Sequence, residues 1–401
     1  MDPRIGIYSD SYPDKRLILN KVPGLQYIQI QNKRENLGRV LRFTGRYFPS
    51  IRQTELYAQG VHFTLDAPFY PDIDVIHTFN RVCLHDHNHW VATFEKTFPE
   101  YFSEETRIDF RLMKKQLSLI LSDKCIAILP ISQWAYNYEL WLLSQFANQE
   151  EINQIKRKMT VLYPPQELLI TQEEIKQKFA NMQKVRFFYV GSQVKRKGGA
   201  EVLKAFQELY NKYQDFSLVF IGNLDGNYNN FYLDEKEKKE IQNIIKNANW
   251  LEYHEKVPNE EVLKLAKQAH VGLLPSMGDT FGFSVLEMQA CGCPVITTDR
   301  QALPEINNDQ CGWLINTKDI QIPHGDDFGH YTRGEVQLLS SIIKERLQVQ
   351  VSKIIADRSS LYNKAIEAVQ RTVEQHSPAR YEKNLEMLYR NAARRFGKKF
   401  P

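Results

Sequence analysis

The sequence has no apolar run near the roughly 18 residues that a membrane-spanning helix needs; its richest stretch, Leu117 to Ile131, is broken by Asp123 and Lys124. A signal-peptide core is also missing, since Met1-Asp2-Pro3-Arg4 leads directly into a strand-like run. Charge of one sign is scarce: 52 basic against 48 acidic side chains leave +4 over 401 residues, which does not advertise a nucleic-acid binder. Cysteine is sparse and odd in number, at Cys83, Cys125, Cys291, Cys293 and Cys311, with no zinc-like array. Cys291-Gly-Cys293 is too tight for a CxxC redox pair, so reduced thiols and a cytoplasmic location are expected. There is no internal repeat, no low-complexity tract and no GxGxxG after the first strand, which weakens a dinucleotide oxidoreductase reading. What remains, 42% hydrophobic and 25% charged residues, describes a globular chain. At about 150 residues per domain, two or three domains are expected.

Apolar runs at Arg4–Tyr8, Asp74–His77, Trp90–Phe94 and Ala127–Ile131 alternate with segments of helical period in the first half. In the second half the runs are Arg186–Val190, Ser217–Ile221, Val271–Leu274 and Val295–Thr298. Continuous runs of this kind suit parallel strands covered on both faces. After Gly199, Val202, Leu203, Phe206, Leu209, Tyr210 and Tyr213 form one helical stripe. Strand–helix alternation implies two doubly wound α/β domains with parallel sheets. Consecutive prolines in Val161-Leu-Tyr-Pro-Pro165 mark the boundary. Such domains bind ligands at the carboxyl ends of their strands, in a cleft between the two sheets. The stretch from Asn316 to Gly334, rich in Gly, His and Asp, reads as a surface loop.

The densest motif is Pro275-Ser-Met-Gly-Asp279-Thr-Phe-Gly282-Phe-Ser-Val-Leu-Glu287-Met-Gln-Ala-Cys-Gly-Cys-Pro294-Val. A buried strand ends at Pro275, a glycine-containing loop follows, and a helix opens near Gly282. Its N–H groups and dipole make an anion site, and Gly282 lets a diphosphate approach the backbone. Asp279 and Glu287 can face the same mouth, since helical side chains tilt toward the N-terminus. Beside a diphosphate, carboxylates suit hydroxyl groups: a ribose diol and a sugar. The same residues also read as a surface acidic pair on an ordinary helix.

The acid-x7-acid pattern with Phe-Gly inside, followed by Gly-Cys-Pro-Val-Ile, resembles the retaining glycosyltransferases of family 4, which have the GT-B fold of two Rossmann-like domains. Val190-Gly-Ser-Gln-Val-Lys-Arg-Lys197-Gly-Gly, Phe220-Ile-Gly-Asn, Val257-Pro-Asn-Glu-Glu-Val, Leu303-Pro-Glu305 and Gly312-Trp-Leu follow the same family order. Thinner matches precede them in Asp74-Val-Ile-His-Thr, Val91-Ala-Thr-Phe, Pro130-Ile-Ser132 and Leu162-Tyr-Pro-Pro. The resemblance implies an acceptor-side domain over 1–163, a nucleotide-sugar domain over 164–375, and a helix over 376–401 returning to the first domain. It implies that Asp279 contacts the donor sugar and Glu287 the ribose, with backbone N–H groups at Phe281, Gly282 and Phe283 on the diphosphate. Lys197 matches the family's lysine, while Ser192 stands where an arginine is usual, leaving Arg196 as a second cation or as part of a solvated loop. Ser192 and Gly222 are further donor-side positions, and base readout falls near His254 to Pro258, at Val257. The implied activity is transfer of a sugar from a nucleotide-diphosphate donor to a glycan, lipid or small-molecule hydroxyl, with retention, no metal and no cofactor. A non-catalytic sugar-nucleotide-binding module and a related-fold epimerase are the alternatives.

The first domain departs more from the pattern. Tyr8-Ser-Asp-Ser11-Tyr-Pro replaces a Gly-Gly loop, and Glu95 stands where many relatives have a histidine. Glu95 reads either as an acceptor-side catalytic carboxylate or as a strand-end charge. His85-Asp-His87-Asn-His89, Asp72-Ile-Asp74 and Asp326-Asp327 read as solvated or structural segments rather than metal sites. Finally, Asn32 to Arg52 carries Lys33, Arg34, Arg39, Arg42, Arg46 and Arg52 against one acid, Glu35, with Leu37, Val40, Leu41 and Thr44 on one helical face. That pattern fits peripheral contact with an anionic inner membrane face as well as a core-facing helix with a basic outer side.

Overall fold

A computed structural model describes residues 2–33, 35–48, 50, 64–84, 87–98, 110–320 and 331–396. The chain divides into two compact units, Met1–Pro165 with Pro378–Pro401, and Gln166–Ser377. Each is built on its own parallel sheet.

In the first unit the strands are β1 (Arg4–Ile7), β2 (Gln26–Gln29), β3 (Thr64–Leu65), β4 (Val75–Phe79), β5 (Val82–Cys83), β6 (His89–Phe94) and β7 (Cys125–Pro130). Five of them form a sheet in the order β2-β1-β4-β6-β7, while β3 and β5 pair separately. All these pairings are parallel. Val75, Ile76, Trp90, Ala92, Phe94 and Ile128 are buried within this unit's core. Their continuous apolar runs follow from coverage of both sheet faces.

The second unit contributes β8 (Val185–Val190), β9 (Phe216–Ile221), β10 (Leu251–His254), β11 (Val271–Leu274), β12 (Val295–Thr298) and β13 (Trp313–Ile315), in the order β10-β9-β8-β11-β12-β13. Every pair is again parallel. The helix Gly199–Tyr210 buries Val202, Leu203, Phe206 and Leu209, with Phe206 edge-on to Phe187 at 5.0 Å between centroids. Tyr210 and Tyr213 pack against this core half-buried.

Five strands are not apparent as apolar runs: the two-residue β3 and β5, and β2, β10 and β13, the last three each at a sheet edge. Edge strands are less enclosed, so polar residues such as Gln26, Gln29 and Glu252 interrupt the pattern. The expected surface loop from Asn316 to Gly334 needs correction at both ends. Thr317 and Tyr331 are buried, and the helix Arg333–Ala356 already begins inside the segment. Its residues 321–330, with Asp326-Asp327, lie outside the described residues.

The helix Pro378–Phe396 belongs to the first unit. Its buried stripe is Tyr381, Leu385, Tyr389 and Ala392. The Tyr381 hydroxyl donates to the Leu17 carbonyl at 2.7 Å. The Tyr389 hydroxyl meets His77 Nδ1 at 2.6 Å, and His77 Nε2 meets Thr93 Oγ1 at 2.9 Å. One imidazole thus ties the helix to β4 and β6. Burial pushes the His77 pKa down to about 3, so the ring is held neutral. Among the described residues, no helix is long and apolar enough to cross a membrane.

Candidate functional site

In the second unit, the segment joining β8 to the helix Gly199–Tyr210 contains consecutive cations. The structure separates their roles. Lys195 is fully buried and donates to Glu201 at 2.8 Å, Glu237 at 2.9 Å and Ser340 Oγ at 2.9 Å, so it anchors the loop from within. Arg196 and Lys197 instead reach the loop that follows β11. Gly198 makes this approach possible, with φ at +74° and an imaginary Cβ only 2.1 Å from the Pro275 carbonyl oxygen. The two loops are then laced together: the Met277 N–H donates to the Arg196 carbonyl at 2.9 Å, and Ser276 Oγ to the same carbonyl at 3.2 Å.

Lys197 forms an ion pair with the Asp279 carboxylate. The Arg196 guanidinium donates to the Gly278 carbonyl at 2.5 Å and lies 5.6 Å over the Tyr228 ring. Asp279 is only 5% exposed. Burial by itself would raise its pKa, but the Lys197 ammonium and the Arg196 guanidinium outweigh it and hold the carboxyl below its ordinary range. Asp279 is therefore an ionised carboxylate set among cations, just ahead of a helix.

That helix, Phe283–Ala290, opens at Gly282, whose φ of +93° favours glycine. A Cβ there would stand 2.9 Å from both Leu303 and Ile306 side chains. Gly282 brings no capping side chain, and its carbonyl accepts the Val285 N–H at 2.9 Å as the helix starts. The helix ends on left-handed Gly292: the Cys293 N–H bonds the Met288 carbonyl at 3.0 Å and the Gly292 N–H bonds that of Gln289 at 2.9 Å. All five cysteines are free and buried.

Of the expected donor-side residues, Lys197, Arg196, Asp279, Phe281 and Gly282 come together. The Phe281 N–H points to Asp279 Oδ1 at 3.4 Å, so it organises the carboxylate. Phe281 itself is buried, its ring 5.1 Å from Phe283 and 5.8 Å from His376. Glu287 lies half-buried a little over one turn into the helix. A second cluster forms at the ends of β8, β9 and β10. The Gly191 N–H donates to Ile221 and that of Gly222 to His254, each at 3.0 Å, with exposed Ser192 beside them. Val257 is half-buried in the turn after β10. The sequence reading missed the hydroxyls of Ser276 and Thr298, which donate to the Gly278 carbonyl at 2.9 Å and the Ser276 carbonyl at 2.5 Å and hold the Asp279 loop. Isolated Ser and Thr carry no periodic signal that could have revealed them.

Glu95 belongs to the first unit, directly after β6, half-buried, its N–H on Asn80 Oδ1 at 3.2 Å. In place of a Gly-Gly loop after β1, Ser11 precedes the short helix Tyr12–Leu17 and hydrogen-bonds buried Asp14. Asp72 and Asp74 serve the strand end: Asp74 accepts from the Arg4 N–H at 2.8 Å and Asp72 pairs with the Arg4 guanidinium at 3.4 Å. His85 and Asp86 lie outside the described residues. Asn88 is buried and bonds the Tyr70 carbonyl at 2.8 Å. Among the described residues, no group of three or more His, Cys, Asp or Glu side chains could hold a metal ion. The helix Glu35–Tyr47 exists, with Leu41 buried and Leu37, Val40, Phe43 and Tyr47 exposed, as is the following Phe48. The side chains of Arg39, Arg42 and Arg46 and the residues Arg34 and Arg52 fall outside the description.

Residues 171–322, which hold this loop–helix arrangement, match the family model "Glycosyl transferases group 1". The chain is 30% identical over 120 residues to the serotype-specific mannosyltransferase WbdA of Escherichia coli, a match covering 30% of this chain and 14% of WbdA. It is 27% identical over 137 residues to the D-inositol 3-phosphate glycosyltransferase of Corynebacterium jeikeium, over 33% of this chain and 31% of that protein. The matched region thus spans a minor part of each curated relative. Solved structures resemble the chain over nearly its full length. Sucrose-phosphate synthase of Thermosynechococcus elongatus superposes with a TM-score of 0.58 at 14% identity, covering 97% of this chain and 88% of that one. Anabaena Alr3699/HepE, solved in complex with UDP, gives 0.56 at 13% identity, covering 98% and 100%. The fold is GT-B, an α/β architecture of two Rossmann-like domains, and the segment that matches the group 1 glycosyl transferase model lies within the second unit.

Proposed function

We propose that this protein is a glycosyltransferase that takes a sugar from a nucleotide-diphosphate donor, bound in the second unit, and gives it to an acceptor hydroxyl with retention of anomeric configuration. The observation that carries the reading is the Lys197–Asp279 ion pair set ahead of the Gly282 helix N-terminus, inside the segment that matches group 1 glycosyl transferases. In the transfer, the bond from the anomeric carbon to the diphosphate oxygen breaks and one to the acceptor oxygen forms. The acceptor's proton passes to the departing diphosphate. Charge therefore grows on the leaving group, and Lys197, Arg196 and the first-turn N–H groups are the donors that would stabilise it. Asp279 would hold a sugar hydroxyl and Glu287 the ribose diol. Ser192, Gly222 and Val257 would border the nucleoside, and no metal or cofactor is required in this scheme. Solved Anabaena HepE with UDP supports a uridine nucleotide as the first candidate, and the mannosyltransferase WbdA supports mannose as a sugar to test.

The decisive experiment is a thermal-shift screen of UDP-, GDP- and ADP-sugars, followed by transfer from the hit in EDTA with the product anomer read by NMR. Ligand that binds only the native state raises its melting temperature. Failure of every nucleotide sugar to stabilise the protein would overturn the reading, and an inverted product would overturn retention alone.

Peripheral contact with an anionic lipid surface is part of the same proposal. The exposed Val40, Phe43 and Tyr47 share a face of the helix Glu35–Tyr47, in a segment rich in arginine. Sedimentation with anionic but not neutral vesicles, lost in high salt, is expected; equal absence from both would remove this contact.

A further inference from the structure

The carboxyl end of the first sheet carries a column of aromatic rings that the donor-site reading leaves unused. β6 and β7 run parallel with Phe94 opposite Pro130, which sets Glu95 beside Ile131 and Ser132. Ser132 caps the helix Gln133–Leu143 by accepting the Ala135 N–H at 3.0 Å. From this rim, Trp134, Tyr138 and Trp141 follow one another at i, i+4 and i+7 along one helical face. The Trp134 and Tyr138 rings stack at 5.1 Å, and Tyr138 and Trp141 are 5.3 Å apart. Trp141 is 53% exposed. Lys96, next to Glu95, places its ammonium 5.8 Å over the Tyr138 ring.

A solvent-facing helix ordinarily carries charges on its outer side. Between Gln133 and Gln145 the only residue of an acidic or basic type is Glu139, and it is buried. What the outer side offers instead is aromatic rings with carboxamides: Gln133 and Asn137 are exposed and bond each other at 3.0 Å. Rings give apolar, rigid contact area, and amides give paired donors and acceptors. That combination matches a neutral carbohydrate, whose ring has apolar C–H faces and vicinal hydroxyls. An anionic lipid surface would favour Lys and Arg here, and this helix has neither.

We infer that Trp134, Tyr138 and Trp141 form a binding subsite for a neutral glycan chain, leading its terminal hydroxyl to the rim where Glu95 and Lys96 stand. This deepens the proposed function by naming the acceptor as an oligosaccharide or longer glycan, and it rests on that reading for its role but not for its binding.

Titrating the full-length chain with mannohexaose and with maltohexaose tests the binding directly by tryptophan fluorescence. A saturable change is expected with at least one of them, lost in Trp141→Ala and in Tyr138→Ala. In transfer assays the same variants should raise the acceptor KM about tenfold or more, as truncated aromatic anchors do, with donor KM within about twofold of wild type. Because Trp141 is exposed, its variant should keep the wild-type melting temperature. Nucleotide-induced thermal shift is measured in parallel, so loss of donor binding is told apart from loss of glycan binding. No fluorescence change with either sugar would overturn the subsite, as would variants that alter only vesicle binding or self-association.

Discussion

At the residue scale, the Lys197–Asp279 contact joins stability to the proposed chemistry. A carboxylate as enclosed as Asp279 stays ionised because a cation sits against it. Lys197→Ala should lower kcat roughly a hundredfold, the usual effect of removing one donor aimed at developing charge. Donor affinity should fall less, because the benefit is greatest when charge is fully developed. The melting temperature should also drop, since the substitution strands Asp279 with Arg196 as its remaining cation. Glu287→Gln should behave in the opposite way: nucleotide binding weakens about tenfold, because an amide accepts from two hydroxyls less well than a carboxylate does, while the melting temperature without ligand holds. Calorimetry with the nucleotide and a steady-state assay separate the two. Equal behaviour of both variants and wild type would remove these roles.

At the element scale, the helix Gln133–Leu143 is keyed to the segment after β6 by one buried carboxyl. Glu139 accepts the Phe98 N–H at 2.8 Å, and burial pushes its pKa up to about 8 from 4.5, more than this hydrogen bond lowers it. The native state therefore binds a proton that the unfolded chain releases near pH 4.5. The stability from this site is complete below that pH and is lost as pH rises to about 8. Glu139→Gln keeps an acceptor for Phe98 but has nothing to ionise. Its melting temperature should thus gain on wild type between pH 5 and pH 8, with the larger gain at pH 8. A constant difference across that range would mean that Glu139 does not titrate there. The helix Phe283–Ala290 is specified otherwise, by conformation at both ends: left-handed Gly282 and left-handed Gly292. Those ends were legible in the sequence, because glycine next to an apolar helical run is a boundary signal. The ring column on the helix Gln133–Leu143 is not legible in the sequence, since stacked aromatics at i, i+4 and i+7 look there like any buried stripe.

At the scale of the whole molecule, the chain's last helix completes its first unit. Ending the chain at Ser377 would remove the Tyr381–Leu17 and Tyr389–His77 hydrogen bonds and uncover the pocket of buried Leu385. Such a truncation should lower the first thermal transition strongly while the nucleotide-induced shift persists, because the proposed donor residues lie within Gln166–Ser377. Tyr389→Phe is the mild version, costing about 1 kcal/mol for a lost buried hydrogen bond. If the truncated chain melted like the full one, the helix would be an ornament of the first unit and no part of its core.

The sequence alone determined the alternation of strands and helices, the central strands of both sheets and the loop–helix motif from Pro275 to Val295. These depend on local pattern: buried strands read as apolar runs, and left-handed positions read as glycine. The tertiary structure decided what depends on neighbours distant in sequence. It showed which of three successive cations is buried against Glu201 and which faces Asp279. It showed that edge strands with polar residues still pair, and that Lys96 lies over a ring 42 positions further along. Such partners are chosen by how layers pack, and no spacing within a linear segment records that choice.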